Sequence, residues 1–303
     1  MSHHLSWLEA GVVGAFQGVS ELFPVSSLGH SVLIPAVVGG SWARDLNVAT
    51  PESPYLAFIV ALHVATALAL VIFFWRDWVK IIGGLITSIV RREVRTKYQR
   101  LAWLLVLATI PVGVVGLVFE HFCRTKLGRP VPAAIFLMIN GLILLWAERM
   151  RRAAPHELET EYVDERISGH ESDERLAGQS VTQAVGIGAA QILALAPGIS
   201  RSGIAMAGGL LRGLSREDAA RFSFLLATPV IFAAGALKIG DLTGPLGDGI
   251  RPQALFGAVL SGIGAYLSAR FLTRYFANRS LRPFGAYCML AGLAALIVFA
   301  VRG

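Results

Sequence analysis

Residues 14–30 read GAFQGVSELFPVSSLGH and carry Gln17, Ser20, Glu21, Ser26, Ser27 and His30 inside an otherwise apolar stretch. These residue types suit phosphoryl chemistry. Gln17 and Glu21 are four apart and share one face of a helix. Glu21 could hold a divalent cation or serve as acid or base. Ser26 or Ser27 could attack a phosphorus atom, with His30 taking or delivering the proton. Each group also has a plainer role: the serines as caps of a returning helix, His30 as a packing histidine, Gln17 as a helix–helix hydrogen bond. Spacing alone ranks neither the two serines nor serine against histidine as nucleophile.

A second constellation, PGISRSG at 197–203, complements the first. Arg201 is the only strong charge between Arg175 and Arg212. Its guanidinium is always charged, so at depth it demands an anionic partner. Gly198, Ser200, Ser202 and Gly203 surround it just ahead of an apolar run. A small-residue turn feeding a helix N-terminus presents free backbone N–H groups to an anion, and arginine adds a bidentate fork suited to phosphate oxygens. The competing reading is an internal salt bridge between Arg201 and Glu21 that merely pins two segments together.

The elements that must position these groups belong to a membrane. Of 303 residues, 54% are hydrophobic and only 16% charged, against about 25% charged in soluble domains. Apolar runs of spanning length recur at about 54–75, 101–119, 133–148, 222–238, 253–271 and 283–301. The two polar constellations fall instead in 8–37 and 181–211. An ionised carboxylate facing lipid at the bilayer centre costs roughly 2.5–3.5 kcal/mol on insertion scales. Pro24 pushes Phe23 out of helical geometry. Both segments therefore read as re-entrant helical hairpins, whose broken backbone is tolerated where it lines a site. The expected fold is all-α integral membrane, with about six transmembrane helices and two re-entrant hairpins.

Net charge of +7 reports topology here rather than nucleic-acid binding. Lys and Arg concentrate in 76–100, 149–180, 212–221 and 270–282 and are sparse in 39–53, 120–132 and 239–252. The positive-inside bias then puts both termini outside. Each half holds one hairpin followed by three spans. Three is odd, so the second half is inserted upside down. The chain divides into a single membrane domain, 1–303, made of half-repeats 1–149 and 181–303 joined by an exposed polar cytoplasmic linker, 150–180. In such inverted repeats the site lies near the midplane, where the two tips meet. Two isolated cysteines, Cys123 and Cys288, make neither a disulfide framework nor a metal site.

The paired motifs GxxQGxxExxPVSSxGH and AQxLALxPGxSRSG resemble the bacterial undecaprenyl-pyrophosphate phosphatase family, linked to bacitracin resistance. RLAWLLVLATIPVGVVGLVFE, LMINGLILLWAER and ARFSFLLATPVIFAAGALK extend the similarity over nearly the whole chain. The resemblance implies an inverted-repeat membrane fold in the bacterial inner membrane, with a site open to the periplasmic face. It implies hydrolysis of the lipid carrier pyrophosphate to the monophosphate, which recycles the carrier for cell-wall synthesis. By position, the family's acidic motif falls on Gln17 and Glu21, its serine and histidine residues on Ser26, Ser27 and His30, and its phosphate-binding turn on Ser200, Arg201 and Ser202.

The implied catalytic group is Glu21, Ser27, His30 and Arg201. Gln17, Ser26, Gly198, Ser200 and Ser202 bind substrate, and Glu21 holds a divalent cation, Mg2+ or Ca2+. The expected partners are a polyprenyl pyrophosphate, the bilayer and a second copy in a homodimer, with no nucleic acid. The sequence departs from the family where Gln17 replaces a frequent Glu, Leu28 and Ala205 replace threonines, and His63 and Ile59 replace a Gln and a Glu. Weakened or altered activity is one consequence these departures carry. Inverted repeats with broken helices are also the architecture of secondary transporters. The alternative function is therefore a carrier of the lipid phosphate or another anion, for which the serine–histidine cluster would be superfluous.

Overall fold

A computed structural model describes residues 5–46, 54–152 and 169–302. The described residues form helices joined by short turns, with no strand among them. The first hairpin is α1 (Trp7–Leu22) and α2 (Ser27–Val38), followed by the short α3 (Gly40–Asp45). Then come α4 (Pro54–Phe73), α5 (Trp75–Arg91), α6 (Lys97–Phe122) and α7 (Pro130–Arg152). A docked helix, α8 (Gly169–Gly178), leads into the second hairpin, α9 (Val181–Ala190) and α10 (Arg201–Leu210), with a 3-10 turn at Gln191–Leu195 between its arms. The chain closes with α11 (Arg216–Thr243), α12 (Arg251–Asn278) and α13 (Arg282–Arg302).

Six of these helices, α4, α6, α7, α11, α12 and α13, are long and apolar enough to cross a membrane. They coincide with the six spans expected from the sequence, to within about two turns at each end. Their outward residues, such as Leu255, Val259, Ile263 and Leu267 on α12 and Leu290, Leu293 and Ile297 on α13, form an exposed apolar belt. A soluble monomer does not show such a continuous surface. Helix α5 is amphipathic rather than spanning. Val79, Ile82, Ile86 and Ile89 are exposed while Ile81, Gly84 and Ser88 pack inward, as in a helix lying in the interface plane.

The hairpins break where the sequence predicts. Helix α1 ends at Phe23, which is extended (φ −65°, ψ 140°) ahead of Pro24. Each hairpin opens on the same reciprocal cap: Ser6 with Glu9 on α1, and Ser180 with Gln183 on α9. Each returning helix is capped by a serine that accepts from the backbone N–H three residues on: Ser26 from Gly29, and Ser200 from Gly203. Packing is exchanged between the halves. Helix α1 lies along α12 and α9 lies along α6, while α4 pairs with α11 and α7 with α13.

The segment 150–180 requires a correction to the exposed linker read from its composition. Residues 153–168 lie outside the described residues, but 169–178 are helical, with Ser172, Asp173, Leu176 and Ala177 buried. Ion pairs hold this helix down. Arg175 Nε donates to Asp218 at 2.6 Å, Ser172 Oγ donates to the same carboxylate at 2.6 Å, and Arg221 reaches Asp173 at 2.9 Å. Asp173 of α8 thus pairs with an arginine of α11, and Arg175 of α8 with a carboxylate of α11.

Candidate functional site

The two hairpins meet tip to tip. Cα of Gly198 sits so close to Gly29 that a Cβ on Gly29 would approach it to 2.7 Å. Gly198 itself has φ +111°, where only glycine is at ease, and a side chain there would collide with the backbone of α7 at Ala133 and Leu137. Ser26, with φ 66°, stitches the contact. Its hydroxyl accepts from the N–H groups of Gly29 and Gly198, each at 3.2 Å, and donates to the carbonyl of Ile199 at 3.2 Å. One donor and two lone pairs are then all used, so this serine joins the tips.

Asn140, fully buried on α7, bridges the same two turns. Its Nδ2 donates to the Pro24 carbonyl at 3.0 Å and its Oδ1 accepts from the Ser200 N–H at 3.0 Å. Ser200 and Ser202 lie 3.0 Å apart, and Ser202 Oγ donates to the Phe23 carbonyl at 3.2 Å.

With the tips fixed, the side chains converge on Glu21, which is 6% exposed. Arg201 Nη2 donates to Oε1 at 2.5 Å. Oε2 accepts from Ser27 Oγ at 2.5 Å and from Gln17 Nε2 at 2.9 Å, and lies 3.2 Å from His63 Nε2. A buried carboxylate is costly to desolvate, and a cluster like this is what makes it tolerable. Of the expected site residues, the structure therefore brings Gln17, Glu21, Ser27 and Arg201 into direct contact.

His30 is placed one step away. Its Nδ1 lies 2.8 Å from the Ser26 carbonyl and must donate to it, so Nε2 faces Tyr287 Oη at 2.8 Å. The Tyr287 ring stacks on the imidazole with 12° between planes.

Three members of this site escaped the motif reading. Asn140 and Tyr287 are single polar residues in long apolar helices, where spacing carries no information. His63 was visible only as a departure. It now proves to be the polar contribution of α4, with Nδ1 2.8 Å from the Ile59 carbonyl and Nε2 3.2 Å from Gln17 Nε2. The Glu21 carboxylate fixes the Gln17 amide, turning its Oε1 away, buried and without a hydrogen-bond partner. As for a cation, no group of three or more His, Cys, Asp or Glu residues among those described could hold one. The donors are Glu21 and the unpaired Gln17 Oε1. That pair is too small for a protein-only cage.

The fold and site together define a polytopic α-helical membrane protein whose polar centre is built from two broken hairpins and closed by an arginine–carboxylate pair. The chain belongs to the family described as Bacitracin resistance protein BacA, whose model matches residues 10–294. It is 60% identical to the undecaprenyl-diphosphatase of Mycolicibacterium paratuberculosis, with both chains covered completely. It is 47% identical to undecaprenyl-diphosphatase 1 of Frankia casuarinae, covering 98% of this chain and 99% of the relative. It is 44% identical to undecaprenyl-diphosphatase 2 of Chromobacterium violaceum, covering 96% and 98%.

Proposed function

We infer that this protein hydrolyses undecaprenyl pyrophosphate to undecaprenyl phosphate and inorganic phosphate, returning the lipid carrier to cell-wall synthesis. Family membership and the names of full-length relatives support the reaction. One observation carries the mechanism: Arg201 from the second hairpin and Ser27 from the first sit on opposite oxygens of Glu21, each at 2.5 Å.

In this reading the prenyl chain stays in lipid and the diphosphate enters between the tips. Arg201 and the first turn of α10 bind its oxygens and stabilise the charge that develops there. Ser27 Oγ attacks the terminal phosphorus while Glu21 takes its proton. The P–O bond to the inner phosphate breaks, and undecaprenyl phosphate leaves. Water then cleaves the phosphoserine, releasing inorganic phosphate. His30 holds or delivers protons through Nε2 once Tyr287 yields that position. A divalent cation, Mg2+ or Ca2+, held by Glu21 with substrate oxygens, would neutralise further negative charge. Both hairpins are re-entrant in this proposal, and the site opens to the periplasmic side.

The test is phosphate release from a prenyl pyrophosphate by purified protein in detergent, with and without chelator. Detergent abolishes compartments, so released phosphate reports hydrolysis. Saturable lipid-phosphate binding without release would favour the carrier reading. The short Ser27–Glu21 hydrogen bond speaks for chemistry, since a carrier has no use for a hydroxyl paired with a base.

A further inference from the structure

Away from the hairpin tips, a cleft of about 570 Å3 opens where the α5–α6 turn, the start of α6, α8 and the first residue of α9 come together. Its mouth carries Arg95, Lys97 and Arg100, and among the described residues Glu174 is the one carboxylate of its lining. Lys97 pairs with that carboxylate at 3.0 Å. Arg100 is held by a neutral acceptor, the Gln179 carbonyl, at 3.1 Å. Arg95 pairs with Glu93 but its side chain is 78% exposed, and such a surface pair neutralises little. Among the described residues the mouth is therefore net positive.

The rest of the lining has the opposite character. Trp103, Leu104 and Leu107 of α6 face Val181 of α9. From Lys97 to Leu107 the helix rises about 15 Å, so the cleft runs from charged to apolar over the depth that separates a headgroup from the first part of an acyl chain. Two neighbours set its level. Helix α6 is a span that starts at Lys97, and α5, packed against it, exposes the apolar face of an interfacial helix. The Trp103 indole is anchored by its N–H to Ser88 Oγ of α5 at 2.9 Å, at the level where tryptophan marks membrane boundaries.

We propose that this cleft binds an anionic phospholipid of the surrounding bilayer, with its phosphate among Arg95, Lys97 and Arg100 and one acyl chain along Leu104, Leu107 and Val181. A free phosphate ion would use the mouth and leave the apolar wall without purpose. A zwitterionic lipid would bring a second cation to a mouth that already has an excess of them. The site sits on the helices that carry the second hairpin, so an occupied cleft braces α6 against α8 and α9. The proposal does not depend on the hydrolase reading.

Fluorescence of the full chain in mixed micelles tests it. The lipids are phosphatidylglycerol and phosphatidylcholine with brominated acyl chains, which quench tryptophan on contact. The signal is the difference between the native protein and Trp103→Phe. Half-quenching by brominated phosphatidylglycerol is expected at a mole fraction on the order of tenfold lower than by brominated phosphatidylcholine, as the excess of basic residues implies. Arg95→Gln, at an exposed position, should erase most of that preference without unfolding the protein, and Arg95→Gln with Arg100→Gln should erase all of it. Equal quenching by the two lipids, or an unchanged preference in both variants, overturns the assignment. Relief of quenching by millimolar inorganic phosphate, but not by chloride at matched ionic strength, would make the cleft a free-anion site and overturns it as well.

Discussion

Glu21 has two oxygens and four neighbours, and the division among them assigns the roles. Oε1 faces a permanent cation and Oε2 faces a hydroxyl, an amide and an imidazole. Arg201→Lys keeps the charge but gives up the planar fork. Phosphate release should fall about 10²-fold, in line with losing one stabilising donor at a developing oxyanion, while the melting temperature stays near that of the native protein. Full turnover by a well-folded Arg201→Lys would remove the fork from the mechanism. The two adjacent serines should separate cleanly. Ser27→Ala should abolish turnover with little loss of stability. Ser26→Ala leaves buried backbone groups at both tips without a partner, which costs about 1–3 kcal/mol. It should lower the melting temperature more than Ser27→Ala does, and a Ser26→Ala protein that melts with the native one would show the stitch to be idle. At this scale Glu21, His30 and Arg201 were legible because a charge in an apolar run has to be explained, whereas His63 showed only as a departure from the family's pattern. Tyr287 and Asn140 were not legible, because one polar group on a spanning helix is equally compatible with packing.

The hairpins hold as elements because side chains from outside them satisfy their broken backbones. Asn140 is the clearest case, since it serves the Pro24 carbonyl and the Ser200 N–H at once. Asn140→Leu keeps the branched shape, at a larger volume, and removes both bonds. Cys288 Sγ still reaches the Pro24 carbonyl at 3.7 Å, but the Ser200 N–H, where α10 begins, loses its acceptor. Thermal unfolding should shift down and phosphate release should drop with it, because Arg201 is the next residue. If only one of the two falls, tip geometry and the arginine's position are not linked as drawn. The breaks themselves were readable from Pro24 and from the glycine–serine turn at 198–200. Helix α8 was not, since its few apolar residues give no helical period and its docking rests on ions. Asp218→Ala takes this carboxylate away from both Ser172 and Arg175. It should make limited proteolysis cut within 169–178 at protease levels that leave the native chain intact, and equal resistance would mean that burial of Leu176 and Ala177 suffices.

At the scale of the whole molecule the two halves repeat one another in detail. Ser6 and Ser180, Gln17 and Gln191, and Ser26 and Ser200 stand at one constant offset, and in both halves the first and last of these are helix caps. The exchanged packing of α1 on α12 and α9 on α6 is what a twofold relation between halves requires. Between the hairpins lie α4, α6 and α7, three helices of spanning length. If all three cross, the odd number of crossings is expected to put the open ends of the hairpins on opposite faces. Single cysteines test this directly, in a background where Cys123 and Cys288 are serine. The reporters are Ala43→Cys, exposed just beyond the first hairpin, and Leu211→Cys, exposed at the end of the second. A membrane-impermeant maleimide added to intact cells should label the first and spare the second. On inverted vesicles the pattern should reverse. Labelling of both positions from one side would mean that the hairpins enter from the same face, and an inverted repeat could not then be the reason their tips meet.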